Sequence, residues 1–322
     1  MSVRAGKARI APCPAHNVPA RAATIRSRAD VYLGSAQPLT PNPPELERPP
    51  FAALGSLDSV QTADEMVACF KRLGARPDRL AHAHELAISS IGGHAGTGLA
   101  RAGAAIAHDI DQGVGGGVAS GYHNPQHYLE VMLSALYLAR LHKLDSERTL
   151  RLVTAGLIHD FHHDGSRAGN VQFRLEKLAL QKSRPYLNEA GVDTAQCRSL
   201  ETLVLATEPR VGVPFARACW NRHRGGVGDE AISSTLPRAL ERLVNDRELA
   251  FDAVLLAEAD VLPSIGLTLE HAETLQARLA SEWGTPLGRA DKLQFTDRMI
   301  SEISVAQYFL PNMRRLRQAY AG

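Results

Sequence analysis

Two short runs constrain this chain more than any other feature: Tyr122-His123-Asn124-Pro125-Gln126-His127 and His159-Asp160-Phe161-His162-His163-Asp164-Gly165. They gather five histidines and two carboxylates at the two ends of one helix–turn–helix. Asn124 followed by Pro125 is a helix start, with Asn as N-cap and Pro at the first helical position. His127 then falls in the first turn, on the face that carries Val131, Ala135 and Leu138. A second helix is expected from Asp145 or Ser146, turning Leu150, Val153, Leu157 and Ile158 inward and delivering His159 and Asp160 at its end. A short turn makes the two helices antiparallel. The start of the first then lies beside the end of the second, and His127, His159 and Asp160 converge.

Neutral imidazole with carboxylate is a borderline-hard donor set. It suits Zn, Fe or Mn at the histidine-rich position, and a bridging Asp leaves oxygen ligation for a second ion such as Mg or Mn. One histidine at a helix end is more often structural than a ligand, but two such motifs on neighbouring helix ends favour metal. Asp260 joins them on physical grounds. It follows Val254, Leu255 and Ala257 on an apolar helix, just before Pro263, where a carboxylate is costly unless paired or metal-bound. Glu258 competes for that role and reads instead as an exposed helix charge.

The pair Tyr-His-Asn-x-x-His and His-Asp-x-x-His-x-Gly resembles the metal-binding core of the HD-domain phosphohydrolases, and more narrowly that of the class I cyclic nucleotide phosphodiesterases. Leu203-Val204-Leu205-Ala206-Thr207-Glu208 and Ala257-Glu258-Ala259-Asp260 follow in the family's order, so the resemblance runs from Tyr122 to Asp260. It implies a compact all-α, multi-helix HD/phosphodiesterase-like domain. It also implies two divalent metal ions: Zn or Fe held tightly by His127, His159, Asp160 and Asp260, and Mg or Mn reached through Asp160. A hydroxide bridging the ions would attack phosphorus while His123 acts as general acid, and His163 would position that hydroxide or its waters. Tyr122, Asn124, Glu176, Thr207 and Glu208 are expected near substrate or metal waters, with Glu208 where the family commonly has Asp. Gln294 and Phe295 are the candidates for a clamp on the base, although their distance to Pro311 departs from the family pattern.

The expected substrate is a small-molecule nucleotide, first of all a 3′,5′-cyclic nucleotide. Alternatives are a nucleotide phosphomonoester, dioxygen activation at two irons with His162 or His108 as an extra ligand, and a metal-stabilised module without turnover.

The remaining chain reads as scaffold. No stretch sustains period-2 alternation bounded by hairpin turns, and the long segments all show helical spacing. With 322 residues and 44% hydrophobic content, the chain can bury a full core. A net charge of +2 from 36 basic and 34 acidic residues writes in no bias toward nucleic acid or membrane. Four cysteines spaced too widely for a zinc knuckle, with no secretory signal, suggest a reducing cytoplasm. Residues 1–55 read as a disordered, basic, Pro-rich tail and linker, and 56–322 as the catalytic domain. Helices are expected over 58–91 with a break at Gly74 to Pro77. Residues 92–121, with ten glycines, read as a flexible loop able to close over the site. An irregular stretch is expected over 209–237, and one long helix from Ala290 to Tyr320.

Overall fold

The computed structural model describes residues 45–46, 48–52, 54–92, 94–117, 121–166, 171–226 and 236–322. All of them belong to one compact unit, Leu39–Gly322. Their regular structure is helical throughout, with no strand among the described residues. The helices are α1 (Ser59–Gly74), α2 (Arg79–Ile91), α3 (Gly98–Asp111), α4 (Pro125–Leu141), α5 (Ser146–Ile158), α6 (Arg174–Glu189) and α7 (Thr194–Leu205). They continue with α8 (Gly212–His223), α9 (Arg238–Glu241), α10 (Arg247–Ile265), α11 (Leu269–Glu282), α12 (Arg289–Glu302) and α13 (Leu310–Ala321).

Starts are written locally. Asp58, Thr97, Asn124, Asp145, Asp193, Asp246 and Thr268 each accept from backbone N–H groups in the first turn of the helix that follows. Each such cap is worth about 1 kcal/mol. The Asn124 and Asp145 caps fall where the sequence places them, so the helix–turn–helix that frames the histidines forms as expected.

Two helices make the centre. α4 is buried on every side from His127 to Ala139, and α10 is buried nearly throughout. Helices apolar all round belong inside a bundle rather than on its surface. α5, α2 and α10 pack on α4, and α8, α11 and α7 pack on α10. α4 and α5 approach closely because Gly156 has no side chain; a Cβ there would stand 3.3 Å from Met132 Cα. Carboxylates inside such helices need partners. Asp252 receives Arg148 and Arg151. Glu258, 0% exposed, accepts the backbone N–H groups of Ser304, Val305 and Ala306. The exposed role expected for Glu258 is therefore wrong: its side chain turns inward and its carboxylate is spent on the backbone at 304–306.

Several boundaries differ from expectation. The Gly-rich stretch contains α3, because Leu99, Ala102, Gly103, Ile106, Ala107 and Ile110 supply a small-residue face that packs closely. Its Asp109 accepts from Tyr186 Oη at 2.6 Å. α8 occupies part of the stretch expected to be irregular, and residues 227–235 lie outside the described residues. The long C-terminal helix is two, α12 and α13, turned where Glu258 captures the backbone at 304–306. Of the tail read over 1–55, residues 1–44 lie outside the described residues. Leu46 and Phe51, however, are buried in the core. Phe51 sets its ring edge-on to Tyr137 at 5.9 Å, and its carbonyl accepts from Arg140 Nη1 at 3.1 Å. The packed chain thus begins ahead of residue 56. No helix among the described residues is long and apolar enough to cross a membrane.

Candidate metal centre and proton donor

The site forms where the N-terminus of α4, the C-terminus of α5 and the later part of α10 meet. Asn124 Oδ1 accepts from the N–H groups of Gln126 and His127, and its amide donates to Gly121 O, which pins the entry to α4. His127 follows in the first turn. At the end of α5, His159 Nδ1–H donates to Gly156 O at 2.9 Å. That bond fixes the tautomer and leaves the Nε2 lone pair facing inward. Tyr128 Oη donates to the carbonyl of Asp160, holding the turn after α5 against α4.

The ligand-type atoms then converge. Asp160 Oδ2 is 3.1 Å from His127 Nε2, 3.0 Å from His159 Nε2 and 3.7 Å from His123 Nε2. Asp260 Oδ1 is 3.4 Å from His127 Nε2 and 3.7 Å from His159 Nε2. Atoms bound to one cation at about 2.0–2.2 Å stand roughly this far from one another. His159 Nε2 is buried and finds no hydrogen-bond partner of good geometry although a carboxylate oxygen is 3.0 Å away. Its lone pair and the carboxylates aim at a shared point rather than at each other. The residues fit a divalent cation.

Electrostatics agree with that fit. Burial opposes charge on Asp160, yet the imidazoles of His159 and His123 hold its pKa well below the usual carboxylate range. Asp260 is also lowered against burial, by the imidazoles of His159 and His127 beside it, while Asp160 pulls the other way. His159 is lifted well above the ordinary imidazole value; burial resists this, and the Asp160 carboxylate beside it overrides burial. The two carboxylates thus favour positive charge at this point.

His123 and His163 lie on the other side of Asp160, with rings stacked at 3.6 Å. Their tautomers differ. Gly165 N–H donates to His163 Nδ1 at 3.0 Å, so the neutral ring carries its proton on Nε2 and offers a donor, not a lone pair. Burial pushes His163 down to about 4, so it is neutral near pH 7. His123 Nδ1 pairs with Glu282 Oε1 at 2.5 Å, and its backbone N–H donates to Glu282 Oε2 at 3.0 Å. Burial works against a charge on His123, but Asp160 and Glu282 raise its pKa above the ordinary value.

Glu282 was not legible in the sequence. It ends α11, far along the chain, in a run that looks like any amphipathic helix. Its side chain is 2% exposed. The only local trace is Gly121, where a Cβ would stand 2.2 Å from Glu282 Oε2.

The other expected residues divide. Tyr122 lies over His127, ring centres 4.6 Å apart, with its hydroxyl 3.0 Å from Ser264 Oγ. Glu176, in the first turn of α6, is raised to about 7 by burial, with the Asp160 and Glu208 charges adding to it. Glu208 is occupied elsewhere: its Oε2 accepts from Val211 N at 2.6 Å and from Arg210 N and Gly212 N, capping α8. Thr207 Oγ1 returns to Val204 O. Gln294 and Phe295 sit on the exposed side of α12, with Phe295 38% exposed. His162 turns away with a left-handed φ of 67° and donates its N–H to Gly115 O.

The phosphodiesterase domain of the RhoPDE fusion protein from the choanoflagellate Salpingoeca rosetta superposes with a TM-score of 0.51 at 17% identity, over 82% of this chain and 93% of that one. A second structure, of the phosphodiesterase domain of Salpingoeca rosetta rhodopsin phosphodiesterase, gives 0.51 at 15% identity, over 91% and 93%. The fold is phosphodiesterase-like. No protein-family model matches the sequence, and no curated relative matches it.

Proposed function

We propose that the protein is a metal-dependent phosphohydrolase that cleaves a phosphodiester, a 3′,5′-cyclic nucleotide in first place. The observation that carries this reading is a proton donor braced beside a ligand cluster: His123 held by Glu282 on one side and facing Asp160 on the other. His127, His159, Asp160 and Asp260 would hold one divalent ion, and Asp160 would reach a second. Bound cations there would lower the pKa of water and neutralise phosphoryl oxygens.

The chain's own groups supply the rest. The Glu282 carboxylate favours the imidazolium form of His123, with Nε2–H directed into the site. A departing alkoxide needs that proton, and a positioned acid is worth about 10²–10⁴-fold. The neutral Nε2–H of His163 is a donor suited to an oxygen of the phosphate or of the attacking water. Tyr122 packs on His127 and limits water on that side. Two imidazoles, His123 and His163, lie with Asp160 in a group that could itself hold an ion. That grouping is what favours the second reading, a histidine-rich di-iron site. The His163 tautomer weighs against it, because Nε2 carries the proton.

Metal-reconstituted protein should turn over cyclic AMP, cyclic GMP or a bis-aryl phosphodiester in preference to mononucleotides. Preference for a mononucleotide would move the reading to phosphomonoester hydrolysis. Bound iron with an oxygen-dependent spectral change and no ester cleavage would replace it with the di-iron reading.

A further inference from the structure

α11 brings Glu282 to His123 with its last residue, and its first turn is tied to the helix that carries His127. His271 Nε2 lies 3.1 Å from Glu130 Oε2. The other oxygen of Glu130 accepts from Gln126 Nε2 at 2.8 Å. Glu130 is completely buried and His271 nearly so. Gln126 also reaches Phe70 O at 3.4 Å, and its Oε1 fills the space beside Gly74, where a Cβ would stand 2.1 Å away. α1, α4 and α11 thus meet in one buried polar node, one turn beyond His127 on α4. A packing position of this depth would suit leucine. A carboxylate here is tolerated only with both donors in place.

Beyond this node α11 packs on α10. Ala272, Leu275 and Gln276 are its other buried residues, and Gln276 Oε1 accepts from Tyr320 Oη at 3.0 Å. From His271 to Glu282 the helix runs about 16 Å. We infer that Glu130 and His271 are a positioning pair for the proton donor: they set the placement of α11 on α4, and so where Glu282 meets His123. This rests on the phosphodiesterase reading above. Slippage of about 1 Å at the far end opens the Glu282–His123 contact, and misplacement on that scale costs roughly 10²-fold in a positioned reaction.

The test compares His271→Ala and His271→Gln in the full-length, metal-reconstituted protein on two esters. Cyclic AMP has a poor leaving group, and bis(p-nitrophenyl) phosphate has a good one that needs little proton donation. The expected result for His271→Ala is a loss of about 10–100-fold in kcat on cyclic AMP and less than about 3-fold on the nitrophenyl ester, with metal content unchanged. His271→Gln keeps an N–H at the same reach and should recover most of the loss. Glu270→Ala, which removes an exposed charge on the same turn, should change neither rate. Should His271→Ala fail to fold by circular dichroism, Glu130→Gln replaces it, with the same selective loss expected. Equal slowing of both esters, or an unchanged cyclic AMP rate, in the folded variant overturns the positioning role alone. Wild-type protein that binds metal but cleaves neither ester overturns the phosphodiesterase reading and the positioning role together.

Discussion

His84 and His159 are equally deep, and both leave Nε2 without a hydrogen-bond partner, yet their surroundings drive them in opposite directions. His84 lies between α2 and α3 against Gly103, where a Cβ would stand 2.4 Å from its Nε2. Burial alone pushes its pKa down to about 4. His159 faces Asp160 and Asp260, and its pKa goes well above the ordinary value despite the same burial. A buried imidazole among carbon atoms is a packing residue with a proton missing. The same ring before two carboxylates is a seat for a cation. Depth alone does not separate the two; charge at 3–4 Å does.

The comparison can be broken most sharply at Asp160. Asp160→Ala should lose both bound metal and turnover, measured by elemental analysis and ester hydrolysis, because it removes the one carboxylate oxygen that three imidazoles surround. His123→Ala comes next. It should keep the metal and lose about 10²–10⁴-fold on diesters with poor leaving groups. Full-speed hydrolysis of cyclic AMP by that variant would show that His123 is not the acid.

At His84 the effect is on folding. Its folded pKa is about 4 against roughly 6.5 in the unfolded chain, so between those values the unfolded chain takes up a proton that the folded one refuses. Stability from this residue is complete above pH 6.5 and is lost as pH falls toward 4, by about 3 kcal/mol. His84→Leu should lack this component in urea titrations of metal-free protein at pH 7 and pH 4. An identical acid loss in both proteins would assign it to other groups. Glu176 supplies the test of opposite sign. Raised to about 7 by burial, it keeps a proton in the folded protein that the unfolded chain releases. Stability therefore falls as pH rises from about 4.5 to 7, and Glu176→Gln should spare up to about 3 kcal/mol of that fall in metal-free protein.

What the sequence disclosed follows the same division. His127, His159 and Asp160 were legible because short-range signals, the Asn124 cap and the end of the Leu150–Ile158 stripe, place them at helix ends that a short turn must bring together. Asp260 was legible through cost, as a carboxylate in apolar company. The same argument failed two residues away, because periodicity does not report that Glu258 meets backbone from 304–306. α3 was hidden by its glycines: Gly103 reads as a breaker until His84 is seen filling the space above it. Glu282 and the Glu130–His271 pair join residues separated by more than a hundred positions. Their recognition needed the packing of α11, which no local pattern encodes.

One backbone angle has a consequence for how this protein can vary. The left-handed turn at His162 lets His159 and Asp160 face one way and His163 come round to meet them. What position 162 contributes is a bend and an N–H to Gly115, not an imidazole. Glycine or asparagine would adopt that bend more readily than histidine does. Among variants selected only for ester turnover, position 162 should therefore drift toward small, turn-forming residues while its neighbours on both sides stay unchanged.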